Sequence, residues 1–167
     1  VYEMIQNIKD NIGAYPSDEV LKDYLRKMIN KEAFDKSGLI YGMGHAVYTE
    51  SDPRAILLKE KARELACQND VEKDFSLYEN IEKFTVEIFK ELKGQDTVIA
   101  ANVDLYSGFV YQMLDIPMDI FTPLFASARI AGWCAHRIEQ LLSDVKIIRP
   151  AYKGVIGEQN YISLKNR

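Results

Sequence analysis

The sequence contains few of the residues that build metal centres, disulfide frameworks or redox sites. Its 167 residues include two cysteines, two histidines and one tryptophan. Two cysteines without a metal-ligand spacing form neither a disulfide framework nor a zinc site, so we expect no bound metal. We expect Cys67 and Cys134 to be small buried thiols of a protein that works in the reducing cytoplasm.

Long apolar runs and an excess of positive charge are also missing. The unbroken apolar runs are short, so we expect no membrane-spanning segment. No basic leader precedes an apolar stretch at the start, which predicts no secretion signal. The 21 basic and 25 acidic residues give a net charge of -4, which argues against nucleic acid as a partner.

Hydrophobic residues are abundant, at 47% of the chain, which predicts a folded domain with an apolar core. Strand patterns are scarce, and apolar residues recur at the spacing of helix faces, which predicts an all-α fold. The predicted helices cover residues 1–12, 17–29, 53–66, 77–92, 102–114 and 121–142. Val1 already lies in a helical pattern with no methionine before it, which predicts that the sequence begins inside a longer protein.

The helix predicted over residues 121–142 is the most apolar part of the chain. Its small residues Ala128, Ala131 and Gly132 would allow another helix to approach closely, so it is either central to the core or part of a subunit interface. Arg129 lies within this apolar run. Because burying an arginine is costly unless an anion meets it, we expect Arg129 to find a carboxylate from the protein or from a ligand.

His45 follows the run Gly42-Met43-Gly44, and Asp52-Pro53-Arg54 comes shortly after it. Glycines allow a tight turn and let a ligand approach the main chain. The pattern alone leaves two interpretations of His45 open. It is either a histidine presented to whatever enters a pocket, or a turn histidine that bonds to the backbone.

Two other titratable residues lie in helical patterns. Asp104 occurs in the run Asn102–Gly108, where a helix is predicted to begin. It is either a functional carboxylate or a first-turn carboxylate stabilised by the helix dipole. His136 lies between Ala135 and Arg137 on the last helix, and we expect it to be an ordinary helix histidine.

Four motifs occur together in the order found in citrate synthases. The run Gly42-Met-Gly-His-Ala-Val-Tyr, followed by Asp52-Pro-Arg-Ala, resembles the histidine loop of that family. The run Asn102-Val-Asp-Leu-Tyr-Ser-Gly resembles its catalytic aspartate segment. The runs Phe121-Thr-Pro-Leu-Phe-Ala-Ser-Ala-Arg-Ile-Ala-Gly-Trp and Ile148-Arg-Pro resemble its two later arginine segments. Four motifs in this order, extending to about Gly154, are far more specific than a lone Gly-x-Gly-His.

The resemblance implies a citrate synthase-like helical fold, with a small domain over residues 1–113 and a return into the large domain over 114–167. It implies that Asp104 removes a methyl proton from acetyl-CoA and that His45 donates to the carbonyl of oxaloacetate. Three arginines would hold the oxaloacetate carboxylates, because a guanidinium pairs two N–H groups with two carboxylate oxygens. They are Arg54, Arg129 and Arg149.

The resemblance also implies which residues contact CoA and how two subunits associate. Gly42, Met43 and Gly44 would contact CoA, with acetyl-CoA as co-substrate and no metal. Arg149 would reach into the site of the partner subunit, which implies a homodimer. Many relatives have a basic residue where Thr49 and Glu50 stand, so the CoA phosphates either meet other basic residues or are bound more weakly through this loop.

The family's enolate-stabilising histidine lies before the small domain, and neither His45 nor His136 stands in its place. We therefore expect the isolated chain to be inactive, and acyltransferase activity from a full-length protein alone. Three alternatives remain open. They are a 2-methylcitrate synthase, a relative of the citryl-CoA lyases, and a helical module for binding or assembly without catalysis.

Overall fold

The computed structural model describes residues 1–48 and 50–143 as helices joined by loops. The helices are α1 (Tyr2–Ile12), α2 (Asp18–Ile29), α3 (Pro53–Gln68), α4 (Glu72–Lys93), α5 (Val103–Met113) and α6 (Phe121–Ser143), with a short 3-10 helix at Met118–Ile120. These ranges contain no strand, and one isolated antiparallel bridge joins Met43 to Ala101. The predicted all-α class and the six predicted helices are confirmed.

The chain divides into two compact units, residues 1–125 and the residues from 126 onward, with the division inside α6. The domain boundary expected between residues 113 and 114 stays a prediction. Arg149, with the Ile148-Arg149-Pro150 motif, lies outside the described residues.

The core of the first unit comes from one face of each of α1, α2, α4 and α5. Burial of a large apolar side chain stabilises a fold by roughly 1.5–3 kcal/mol, so these faces dominate the packing. The largest fully buried side chains are Tyr106, Phe84, Phe109, Met4, Ile5, Ile8, Leu21, Leu25, Met28, Ile81, Ile88 and Leu105.

Helix α3 contributes small side chains to this core. Its buried residues are Ala55, Ala62 and Ala66, and α3 packs most extensively on α5. Because alanine has only a methyl group, the two helices can lie close together. Pro53 occupies the first turn of α3, and Asp52 caps the helix because its carboxylate accepts a hydrogen bond from the Arg54 N–H at 3.0 Å.

A polar network joins α3, α4 and α5 beside the core. The Tyr106 hydroxyl of α5 donates to the Glu82 carboxylate of α4, which also accepts from Lys59 Nζ of α3 at 2.6 Å. Burial, and then the hydrogen bond to Glu82, raise the pKa of Tyr106 above its ordinary value of 10.0. The hydroxyl therefore stays protonated, and the network fixes the three helices relative to one another.

The expectation that the two thiols are buried is wrong. Cys67 and Cys134 are both exposed. Cys67 follows the buried Ala66 by one position, which turns its side chain about 100° around the helix and away from the core. Helix α6 buries none of its described side chains, so the first of its two interpretations, a place in the core, is not supported by the described residues. Arg129 is exposed, and its expected carboxylate partner stays a prediction. The interpretation of α6 as an interface helix stays a prediction.

None of the helices within residues 1–48 and 50–143 is both long and apolar enough to cross a membrane.

Candidate active site

The glycine run before His45 lies directly on helix α5. Gly42 and Gly44 have φ angles of +90° and +87°, in the left-handed region that favours glycine. A Cβ atom on Gly42 would lie 2.9 Å from the Leu105 Cα and Cβ atoms, closer than side chains tolerate. Glycine at position 42 therefore allows the loop to contact the backbone of α5.

The same loop is hydrogen-bonded to the segment that leads into α5. The Gly44 N–H donates to the Ala100 carbonyl at 2.7 Å, and the Asn102 N–H donates to the Gly42 carbonyl at 2.8 Å. These bonds flank the bridge between Met43 and Ala101. The loop that presents His45 and the segment that presents Asp104 therefore hold each other in place.

The His45 ring is held in one orientation by its own turn. Its Nδ1 atom accepts hydrogen bonds from the Val47 N–H at 3.0 Å and the Tyr48 N–H at 3.1 Å. Because Nδ1 is the acceptor, the neutral ring carries its proton on Nε2. The turn-histidine interpretation therefore applies to Nδ1. Because His45 is exposed, its Nε2 atom remains accessible to a ligand.

Arg54 is held beside this ring by a buried carboxylate. Its Nε and Nη2 atoms donate to the two carboxylate oxygens of Asp52 at 3.0 and 2.8 Å, and Asp52 is 1% exposed. Hydrogen bonds from the Arg54 side chain hold the pKa of Asp52 below its ordinary value of 3.8, and the same bonds raise the pKa of Arg54. The guanidinium is therefore always charged and rests in one orientation, with its centre 5.6 Å from the centre of the Tyr48 ring.

Two hydrogen-bond donors meet between His45 and Arg54. The His45 Nε2 and Arg54 Nη2 atoms lie 3.3 Å apart. With the proton on Nε2, both nitrogens are donors, so neither satisfies the other. An oxygen acceptor beside the two nitrogens would accept from both, which is the chemistry that a keto group or a carboxylate supplies.

Asp104 stands at the start of α5, exposed, with its N–H bonded to Asn102 Oδ1 at 2.9 Å. It lines a cavity of about 570 Å³ together with Gly42, Ser107 and Tyr111. The hydrogen bonds that Arg54 donates to Asp52 are the main cause of the raised pKa of Arg54, and the negative charge of Asp104 makes a smaller contribution in the same direction. Asp104 therefore lies within electrostatic reach of Arg54.

His45 itself lines a second, smaller cleft of about 260 Å³. Gly44, Lys93 and Thr97 also line it, so a cation stands in the cleft next to the glycine loop. His45 and Asp104 therefore lie on hydrogen-bonded segments but line two different cavities. No group of three His, Cys, Asp or Glu side chains in the described ranges is placed to hold a metal ion.

The predicted arginines are placed differently. Arg54 joins His45, whereas Arg129 belongs to the second unit and Arg149 lies outside the described residues. The substrate-binding roles of Arg129 and Arg149 stay predictions.

Sequence reasoning missed the contributions of Asn102 and Lys93. An asparagine two residues before the aspartate of a helix start is a recognisable capping signal and could have identified Asn102. No sequence signal places Lys93, at the end of α4, beside His45, because that proximity depends on how the helices pack.

The chain belongs to the citrate synthase family. The sequence model of the protein family described as citrate synthase, C-terminal domain, matches residues 1–151. A citrate synthase of Synechocystis sp. is 42% identical over 168 residues, which cover 99% of this chain and 38% of that protein. A 2-methylcitrate synthase of Corynebacterium glutamicum is 38% identical over 118 residues, which cover 71% of this chain and 28% of that protein. The chain thus spans about two fifths of the length of the citrate synthase it matches.

Solved structures agree with this membership. The crystal structure of citrate synthase from Thermotoga maritima superposes with a TM-score of 0.69 at 32% identity, over 99% of this chain and 41% of that one. Citrate synthase from Thermoplasma acidophilum, in a ternary complex with carboxymethyl coenzyme A and oxaloacetate, gives a TM-score of 0.61 at 28% identity, over 99% of this chain and 46% of that one. The predicted citrate synthase-like helical fold is confirmed.

Proposed function

We propose that this chain supplies part of the active site of a citrate synthase, an acyltransferase that condenses acetyl-CoA with oxaloacetate to give citrate and CoA. The observation that supports it most is the pair of convergent donors, His45 Nε2 and Arg54 Nη2, next to the helix start that presents Asp104. A keto-diacid offers a carbonyl oxygen and carboxylates to such a pair, and a carboxylate base nearby serves a carbon acid.

In this proposal Asp104 takes a proton from the methyl group of acetyl-CoA, and the resulting enolate carbon attacks the carbonyl carbon of oxaloacetate. His45 Nε2–H donates a hydrogen bond to the carbonyl oxygen as the new C–C bond forms, and that oxygen takes up a proton to become the hydroxyl of citryl-CoA. The proton that Asp104 removed balances this uptake, so both side chains return to their starting protonation states. Water then cleaves the thioester to citrate and CoA. The hydrogen-bond donor that stabilises the enolate oxygen comes from outside these 167 residues. Of the two histidines, His45 donates to the carbonyl of oxaloacetate and His136 is expected to be an ordinary helix histidine.

Substrate carboxylates would be held by three arginines, Arg54, Arg129 and Arg149. Arg54 is already aligned by Asp52, so less side-chain entropy is lost when a carboxylate binds to its outer edge. Arg149 would act from the partner subunit of a homodimer. The exposed apolar residues of α6 between 126 and 143, which include Trp133 and Ile138, support a covered face on that helix.

CoA would lie along the glycine loop of Gly42, Met43 and Gly44. Lys93 lines the cleft beside that loop, which supports Lys93 as a contact for the CoA phosphates. It would replace the basic residue that many relatives have where this chain has Thr49 and Glu50. We place the protein in the cytoplasm, consistent with two free exposed thiols among the described residues.

A 2-methylcitrate synthase is a second candidate, favoured by the similarity to the Corynebacterium glutamicum protein. The two activities differ by one methylene in the acyl group, which a pocket discriminates by about 1–3 kcal/mol. A citryl-CoA lyase relative and a non-catalytic binding module are the remaining alternatives.

A thiol-release assay tests the proposal. We expect the complete protein that contains this chain to release CoA from acetyl-CoA in the presence of oxaloacetate, faster than from propionyl-CoA. The 167-residue chain alone should release none. Faster release from propionyl-CoA would support the second candidate. Oxaloacetate binding by calorimetry without any thiol release from the complete protein would support the binding module.

A further inference from the structure

Asn102 connects the two halves of the candidate site through one side chain. Its Nδ2 atom donates to the Gly44 carbonyl at 2.8 Å, and its Oδ1 atom accepts from the Asp104 N–H at 2.9 Å. Gly44 immediately precedes His45, and Asp104 is the proposed base. A single half-buried amide therefore bonds to the backbone next to each group.

We infer that Asn102 is a positioning residue that sets the distance between His45 and Asp104 for the condensation step. This inference rests on the proposed function. The condensation needs the base and the carbonyl donor aligned on two substrates at once, and a displacement of about 1 Å can cost about 100-fold in rate. The two groups lie on different segments, so a direct bond between those segments is the simplest means of alignment.

The residue type supports the inference. Capping the first turn of α5 requires an acceptor only, and aspartate or serine would serve as well as asparagine. Bonding to the Gly44 carbonyl requires a donor at the same end of the side chain. Asparagine offers both, whereas an aspartate would place a carboxylate oxygen against a carbonyl oxygen and a serine hydroxyl is too short to reach both partners.

Backbone bonds alone do not make the amide redundant. The bonds of Gly44 with Ala100 and of Asn102 with Gly42 hold the loop to the segment before α5. The Asn102 carbonyl accepts from the Leu105 N–H at 3.3 Å, and the Asn102 side chain adds a shorter bond to the N–H of Asp104 in the first turn of the helix. The amide thus joins the loop to α5 itself, in addition to the segment before it.

The test is a set of variants in the complete protein. Asn102→Ser and Asn102→Asp each keep an acceptor for the Asp104 N–H and lose the donor to Gly44. We expect kcat to fall about 10- to 100-fold in both, with the calorimetric Kd for oxaloacetate within about 3-fold of the wild-type value. Asn69→Ser is the matched control, because Asn69 Nδ2 also donates to a backbone carbonyl, that of Leu65 at 2.8 Å, away from the site; its kcat should not change.

A double-variant cycle separates positioning from a structural role. If Asn102 aligns His45, then adding Asn102→Ser to His45→Gln should lower kcat by less than about 3-fold, because there is no imidazole left to align. The inference would be overturned if Asn102→Ser lowered kcat by the same factor in the wild-type protein and in His45→Gln. It would also be overturned if both Asn102 variants kept the wild-type kcat.

Amide hydrogen exchange gives a readout that does not depend on activity. In Asn102→Ser we expect faster exchange over residues 42–48, with residues of α1 and α2 unchanged. Unchanged exchange over 42–48 would overturn the inference. An inactive wild-type protein would contradict the proposed function instead, and the exchange result would still decide whether Asn102 holds the loop.

Discussion

The His45 Nε2 atom lies 3.3 Å from the Arg54 Nη2 atom, and with the imidazole proton on Nε2 both nitrogens are hydrogen-bond donors. The cause is local. The N–H groups of Val47 and Tyr48 occupy the Nδ1 lone pair, while the buried Asp52 holds the guanidinium against the ring. The pair is therefore organised before a ligand arrives, and its unmet requirement is an oxygen acceptor.

The tautomer of His45 follows from this arrangement. We expect nitrogen NMR of the neutral ring to show the proton on Nε2, because two backbone N–H groups donate to Nδ1. His136 provides the comparison: its Nδ1 lies 3.8 Å from a Glu139 oxygen and its side chain is 85% exposed, so it should show the usual mixture of tautomers. A proton on Nδ1 of His45 would contradict the proposed role as donor through Nε2.

Replacing Arg54 by lysine should weaken oxaloacetate binding. Lysine keeps the charge but cannot pair with both oxygens of Asp52 and still present a donor beside His45. We expect the calorimetric Kd of the complete protein to rise at least about 10-fold, which corresponds to about 1.4 kcal/mol. Arg63→Lys is the control, because Arg63 lies on the same helix as Arg54 and its ion pair, with Glu79 of α4, is at the surface; it should leave the Kd unchanged.

Gly42 and Gly13 make a matched pair for testing the loop contact with α5. Both have a positive φ angle, but a Cβ at Gly13 meets no atom within 4 Å, whereas at Gly42 it would overlap Leu105. Gly13→Ala should cost only backbone strain, about 1–2 kcal/mol, with normal kcat. Gly42→Ala should cost about 1–3 kcal/mol more, because the overlap displaces the loop, and should lower kcat. Equal effects on stability and kcat would show that the close approach is not required.

Asp52 should make stability depend on pH in the acid range. Its pKa is lowered in the folded protein, chiefly by the hydrogen bonds from Arg54, so the unfolded state binds more protons. The stabilisation is complete above the ordinary pKa of 3.8 and is lost as the pH falls through the lowered value. Asp52→Asn should reduce the unfolding free energy by about 1 kcal/mol at pH 7, and the difference from wild type should shrink as the pH falls below 3.8.

Urea titrations of both proteins across that pH range provide the measurement. Asp23→Asn is the control, because Asp23 is 72% exposed and its pair with Arg26 lies at the surface, where such pairs contribute about 0–1 kcal/mol. A difference between wild type and Asp52→Asn that stayed constant with pH would mean that the pair does not carry the stabilisation.

Helix periodicity was sufficient to predict the all-α class and all six helices, because apolar residues at Met4, Ile5 and Ile8, for example, repeat at the spacing of a helix face. Burial of individual residues was less predictable. Cys67 neighbours the buried Ala66 in sequence, yet one step along a helix rotates a side chain out of the core. The residue types around a position do not specify the direction in which its side chain leaves the helix axis.

The candidate site was predictable where a motif is contiguous and unpredictable where it depends on packing. His45 and Arg54 belong to one local run, and their contact follows from a turn and a helix start. The bond from Asn102 to Gly44 spans 58 positions, and Lys93 reaches the His45 cleft from the end of another helix. Such contacts depend on how α3, α4 and α5 pack together, which periodicity does not reveal.

The most direct measurement is the kcat of Asp104→Asn in the complete protein, beside its affinity for oxaloacetate. Asp18→Asn is the control, since Asp18 is likewise an exposed first-turn carboxylate, in α2, and both replacements remove a helix-dipole interaction of about 0.3–1 kcal/mol. Loss of a general base predicts a fall in kcat of about 100-fold or more for Asp104→Asn, with an unchanged Kd for oxaloacetate and normal kcat for Asp18→Asn. A kcat for Asp104→Asn within about 3-fold of wild type would contradict the assignment of Asp104 as the base.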